Sequence, residues 1–413
     1  MDAPESRTTV DAVRAPPSRA SWSAFFSYGF RPFFLLAAGW AAFALLTLLG
    51  GVASGAWPGD ALPLVRWHAH EMLFGFVAAS IAGFLLTAVP TWTGSRPISG
   101  WALAALAVLW LAGRTAMSPW LGMQGTPWLL LDAAFFPALA VVLAVPLLRT
   151  RNYRNLQFLF ILTLLTGADA LFVSTQLGWF APAPFDPLRF SVNLILLMIT
   201  VVGGRIIPAF TRNALLKSGM RCTFTPLVWL DRASLAAVAA VVVADIARPD
   251  SAFAGWLAAL AAALLAARAS RWHGHRTLRM PIVWILHAGF AWLYVALALK
   301  AVWLLGHASF AAHWLHALTA GAFGTMTLAV MTRVALGHTG RELVVARPIA
   351  AAYVLVIAGA ALRVVGPAAL SAHYVQVLAA AGVLWAAAFV IFLTVYVPIL
   401  VAPRIDDQVP SSA

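Results

Sequence analysis

A single cysteine, Cys222, stands in 413 residues, and only 10% of the chain is charged. One thiol excludes an intramolecular disulfide, a Cys-rich zinc site and an iron–sulfur cluster. Acidic residues are scarce, with 14 Asp and Glu against 27 Lys and Arg. There is no P-loop, no GxGxxG fingerprint, no CxxC pair and no Cys-containing haem-attachment motif, so nucleotide chemistry, thiol redox chemistry and covalent haem have no support. The N-terminal "MDAPESRTTVDAVRAPPSRASWS" lacks the apolar core of a signal peptide and reads as a disordered cytoplasmic tail over residues 1–27.

What is abundant is apolar side chains, 62% of the chain, with a mean hydropathy of +0.88. Soluble domains carry about 25% charged residues, so this composition belongs to a membrane protein. A bilayer crossing takes about 20 apolar residues. Twelve such runs are legible, at 33–53, 67–93, 97–113, 126–148, 155–177, 187–208, 226–247, 251–267, 280–305, 310–335, 347–369 and 374–401. The expected fold is all-α, a polytopic transmembrane bundle of about 12 helices forming one domain over residues 28–402, with a cytoplasmic tail at 403–413.

Orientation follows from the basic residues. With the N-terminus inside, the inner segments hold 21 of the 27 Lys and Arg, among them "RTRNYRN" and "RASRWHGHRTLR". The outer loops hold Arg66, Arg114, Arg189, Arg248, Lys300 and Arg363. Both termini are therefore expected in the cytoplasm, with Cys222 in an inner loop. The net charge of +13 is then a topogenic signal rather than a nucleic-acid-binding surface.

Polar groups within apolar runs need a reason. "WHAHEMLFGFVAASIAGFLLTAVP", residues 67–90, places His68, His70 and Glu71 at the outer end of the second run. "HWLHALTAGAFGTM" places His313 and His316 at the same level of the tenth, so four histidines from two helices share a layer. His287 of "WILHAGFAW" lies roughly 10 Å above the inner edge, from a rise of about 1.5 Å per residue. It pairs in level with His338 of "GHTGR", above His273 and His275 in the loop below. Residues two apart on a helix face nearly opposite ways, whereas those three, four and seven apart share a face. His68 then aligns with Met72, Gly75, Ala79 and Gly83, while His70 points away; the two share one metal only if the helix start is unwound. His316 aligns with Ala320, Gly324 and Thr327. Such small-residue stripes suit close helix packing or a macrocycle lying on the backbone, and packing is the stronger reading of the glycines alone.

Imidazole suits haem iron and copper, and the shared layer points to metal binding by His68, His70, Glu71, His313 and His316. His307 and His373 read as structural. Asp132, Asp169 and Asp245 read first as ion-pair partners. Arg66, Arg205 and Arg333 are the candidates for haem propionates, because a guanidinium grips a carboxylate with two parallel hydrogen bonds.

The chain resembles the NnrS family in "YGFRPFFLLAAGWA" at 28–41, "WHAHEMLFGF" at 67–76, "GFLLTAVPTWTG" at 83–94 and "VVGGRIIPAFTRN" at 201–213. "WILHAGFAWL" at 284–293 and "HALTAGAFGTMTLAVMTRVALGHTGR" at 316–341 complete the set, which runs in order from Tyr28 to Arg341. The resemblance implies a bacterial inner-membrane protein carrying non-covalent b-type haem and copper, with nitric oxide or nitrosyl species as its small-molecule ligand and a role in nitrosative-stress tolerance. Within the motifs it singles out His68, His70, Glu71, His287, His316, His338, Arg205, Arg212, Arg333 and Arg341; His313 lies outside the usual pattern. A secondary transporter is the competing reading from twelve runs, but a six-plus-six repeat does not superimpose runs two, nine and ten, which carry the histidines. A nitric oxide reductase or oxidase-like enzyme needs more histidines, at other spacings.

Overall fold

A computed structural model describes residues 21–58, 62–121, 126–181, 185–220 and 225–405. Most of the N-terminal tail, Cys222 and the end of the C-terminal tail lie outside the described residues. Within them all regular structure is helical. A turn of helix at Trp22–Phe25, in the stretch read from sequence as tail, precedes twelve long helices. These are α1 (Phe30–Ser54), α2 (Leu64–Thr93), α3 (Gly100–Ala116), α4 (Pro127–Arg149), α5 (Tyr153–Gln176), α6 (Pro187–Lys217), α7 (Val228–Ala247), α8 (Ala252–Ser270), α9 (Pro281–Gly306), α10 (Ser309–His338), α11 (Arg347–Ala369) and α12 (Ser371–Leu400). Ten of them are long and apolar enough to cross a membrane. The other two are α3, with 17 residues, and α7, which carries Asp231, Arg232 and Asp245.

Local chemistry sets the ends. Asp186 caps α6 by accepting the Leu188 N–H at 3.2 Å, with Pro187 in the first turn, where its missing N–H costs nothing. Ser251 caps α8 in the same way through the Ala254 N–H. Gly94 ends α2 with a φ of 65°, a left-handed conformation that glycine adopts without a Cβ penalty.

Three helices, α2, α6 and α10, meet pairwise at the centre, and α1 and α12 pack side by side against them. In lipid, helix association rests on close van der Waals packing, which small residues permit. The buried face of α1 accordingly reads Ala37, Ala38, Ala41 and Ala44. The glycines of α2 and α10 receive aromatic rings: a Cβ on Gly83 would meet Phe34 at 2.6 Å, on Gly321 Trp292 at 2.6 Å and on Gly324 Trp385 at 2.7 Å. On Gly75 it would lie 2.4 Å from the Trp40 ring, and Trp40 is pinned by donating its Nε1–H to Glu71 at 2.7 Å. Gly→Ala in an open helix is worth up to about 1 kcal/mol of stability, but overpacking costs about 1–3 kcal/mol. Gly75→Ala is therefore expected to lower the melting temperature in detergent, whereas Gly39→Ala, with nothing within 4 Å, is not. An unchanged or raised melting temperature for Gly75→Ala would contradict this packing.

The outward faces carry Val108, Val141, Phe160, Val243, Trp256 and Val354, all exposed, a surface that only lipid tolerates over such an extent. Five of the six basic residues assigned from the sequence to outer loops belong instead to helices: Arg66 to α2, Arg114 to α3, Arg189 to α6, Lys300 to α9 and Arg363 to α11. Arg114 is 3% and Lys300 0% exposed. The run 97–113 stops one residue short of Arg114, whereas the runs 280–305 and 347–369 contain Lys300 and Arg363, and all three are charges within helices that are held by partners.

Candidate functional site

The π-helical segment Glu71–Val77 follows His70 directly in α2, and Ala317–Phe323 follows His316 directly in α10. The two helices share further spacing: Gly75 and Gly321 each lie five residues after the histidine, and each takes a tryptophan ring from the preceding helix. One extra residue per turn shifts the helical phase, and such bulges concentrate at functional sites. The stripes expected from α-helical spacing therefore do not run on through these segments. His68 and His70 still face different neighbours.

His70 turns toward α3, α4 and α5. Its Nδ1 lies 3.1 Å from Glu71 Oε1, and its Nε2 lies 3.1 Å from Asp169 Oδ1 and 3.2 Å from Asp132 Oδ2. Arg114 donates to Glu71 Oε1 at 2.7 Å and pairs through its other amino group with Asp132. Phe172 stacks on one face of the imidazole and Phe74 packs on the other, both with ring centres 4.8 Å away. All five ionisable groups are buried. Asp132 and Asp169, read from sequence as pairing acids, thus converge with His70 on one point, and ligand atoms of the three lie within 4.8 Å of one another. Both Glu71 oxygens are engaged, Oε2 by Trp40.

His68 turns instead toward α1 and α11. Its ring lies near the backbone of Ala44, and Nδ1 is buried without a hydrogen-bond partner. His316 Nε2 lies 3.1 Å from Arg363 Nη2 and must accept, because a guanidinium only donates. Arg363 Nη1 is buried without a partner. His313 stands beside His316, ring centres 6.2 Å apart, and His68 is within electrostatic reach of His316 and Arg363. One buried imidazole nitrogen and one guanidinium nitrogen without partners, with no carboxylate paired to them among the described residues, form a donor set that would suit a metal accompanied by an anionic group, His316 Nε2 becoming a second ligand once Arg363 turns to that anion.

The remaining sequence candidates lie apart. His287 Nε2 lies 2.8 Å from Thr211 Oγ1 beneath Gly274, whereas His338 packs among Tyr28 and Phe30. Arg205 donates to Asn155 at 2.9 Å and Arg333 lies over the Phe210 ring at 3.7 Å. Arg341 has a buried Nη1 without a partner. Arg66 pairs with Asp186 at 3.0 Å at the mouth of a cavity of about 410 Å³, also lined by Phe172, Arg189, Asn193 and Asp245. Asp245 holds the buried Lys300 there and accepts from Asn193 at 2.9 Å. A second cavity, about 80 Å³ and almost wholly apolar, lies where α2, α6 and α10 meet, among Met198, Met326 and Met331.

Sequence reasoning missed Arg114 and Arg363 as site residues. The available signal was their level: each is an arginine set within small apolar residues, "WLAGRTAM" and "AGAALRVVG", where an unpaired charge would be costly.

Fold and site together define a multi-pass helical membrane protein with two ionisable clusters built into its interior. Residues 24–404 match the model of the family described as NnrS protein, and the chain belongs to that family. No curated protein matches it.

Proposed function

We propose that this protein lies in the bacterial inner membrane, crosses it twelve times with both termini in the cytoplasm, and binds b-type haem and copper in the response to nitric oxide and nitrosative stress. The observation that carries the reading is the imidazole layer: His68 Nδ1 and Arg363 Nη1 are buried without partners beside His316. A buried polar atom left unpaired costs about 1–3 kcal/mol, so two of them in one cluster mark a place where a ligand satisfies them. His68, His316 and His313 are the residues that would hold the metals, and Arg363 the one that would take an anionic substituent such as a propionate. Haem iron supplies a ligation site for nitric oxide, and copper supplies one-electron chemistry.

The protein's own part is preorganisation. Arg363 holds the His316 ring in place through Nε2, and on binding it would pass to the anionic substituent and release that nitrogen to the metal. The apolar cavity between α2 and α10 is large enough for a diatomic gas and offers it no polar competitor. Nitric oxide, small and apolar, reaches such a site through lipid without a pore.

Purified protein is expected to contain iron and copper by elemental analysis and to show a haem absorption band that shifts on addition of nitric oxide. Protein free of both metals and without that band would overturn the proposal.

A further inference from the structure

We propose that His70, Asp132 and Asp169 form a second metal centre, separate from the imidazole layer, that binds a divalent cation of borderline hardness such as zinc, manganese or ferrous iron.

Hydrogen-bond direction comes first. With Nδ1–H donated to Glu71 Oε1, a neutral His70 points the bare Nε2 at Asp169 Oδ1 and Asp132 Oδ2. Three lone pairs then converge in a site closed to water, and a cation must separate them. A proton on Nε2 serves only one of the two oxygens: Asp169 takes the hydrogen bond, and Asp132 Oδ2 is left buried with no donor.

Charge gives the same answer. Glu71, Asp132 and Asp169 bring three negative charges and Arg114 one positive, so even an imidazolium leaves the buried cluster negative. A divalent cation on a neutral imidazole makes it neutral, which a low-dielectric interior favours strongly. The donor set, one nitrogen and two carboxylate oxygens, suits zinc and the harder first-row ions over cuprous copper. Spacing agrees around the histidine: ligands about 2.0–2.2 Å from one tetrahedral ion sit roughly 3.3 Å from each other, His70 Nε2 stands 3.1 Å and 3.2 Å from the two oxygens, and ligand atoms of the three residues lie within 4.8 Å of one another. Glu71, hydrogen-bonded to the imidazole's far nitrogen and held by Arg114 and Trp40, orients the ligand in the manner of carboxylate–histidine–metal triads.

The test uses full-length protein in detergent, stripped by a chelator and titrated with Zn²⁺ alone. One equivalent is expected to bind, at least ten-fold more weakly to Asp132→Asn, Asp169→Asn and His70→Gln, and with unchanged affinity to His68→Ala and His316→Ala. X-ray absorption of the zinc-loaded parent is expected to show a nitrogen/oxygen shell with one imidazole, and it decides the matter if the variants fail to insert. No stoichiometric zinc, two or more imidazoles per zinc, or equal loss in His68→Ala would overturn the proposal. Because haem absorption is a separate readout, failure here leaves the haem reading standing, and the reverse holds too.

Discussion

Arg114→Ala is expected to be the most damaging single substitution among the described residues, leaving little monodisperse protein after detergent extraction. Arg114 contributes the only guanidinium among Glu71, Asp132 and Asp169, donating to Glu71 Oε1 at 2.7 Å and pairing with Asp132. Removing one partner of a buried ion pair costs about 3–5 kcal/mol, and here two carboxylates lose their guanidinium at once, although Glu71 keeps Trp40 and His70. Against a total stability of about 5–15 kcal/mol, that loss is a large fraction. Arg114→Lys should fall between parent and alanine variant, because an ammonium cannot bridge two carboxylates as the planar fork does. Combining Arg114→Ala with Asp132→Asn should recover part of the yield by removing one stranded charge. Fluorescence-detected size exclusion with a thermal ramp reads all four proteins. An alanine variant that accumulates and melts like the parent would show that the cluster is not held by this arginine.

The second large effect concerns metal rather than folding. His68→Ala deletes a ring whose Nδ1 makes no hydrogen bond, so no polar partner of that nitrogen is stranded. On the proposed reading a ligand to haem iron is removed with it, and changes even to groups that merely orient metal-bound histidines cost about 10–100-fold in metal affinity. Loss of most of the haem absorption is therefore expected in His68→Ala and His316→Ala, from protein that inserts in normal amount. His307→Ala and His373→Ala should retain the band. Equal absorbance per protein across all four variants would remove the imidazole layer from the metal site.

Much of the fold was legible because apolar run length is a strong signal. The twelve runs correspond to α1 to α12, with ends shifted by a few residues and by nine at the inner end of α6, where Arg212 and Lys217 lie beyond the apolar part but still within the helix. That His68, His313 and His316 come near one another was legible for the same reason, since rise per residue places them at matching heights of two helices. The π-helical segments were not. Their extra residue per turn is a backbone adjustment that α-helical spacing cannot reveal, and it made the small-residue stripes of α2 and α10 look continuous. Nor could the sequence show which acids meet which histidine: Asp132 and Asp169 come from α4 and α5, and only packing brings them to His70. Arg114, Lys300 and Arg363 were obscured by the opposite error, a charge inside or at the end of an apolar run being read as a loop. In each case the missing information was tertiary.

The proposed metal centres, of different donor chemistry, share the histidine-bearing end of α2, one on each side of the helix. The most direct test is a paired measurement of haem absorbance and zinc binding on His316→Ala and Asp169→Asn, each in full-length protein. The account predicts a double dissociation, with haem lost and zinc kept in His316→Ala, and zinc lost and haem kept in Asp169→Asn. Loss of both metals together in either variant, or of neither in both, would contradict it.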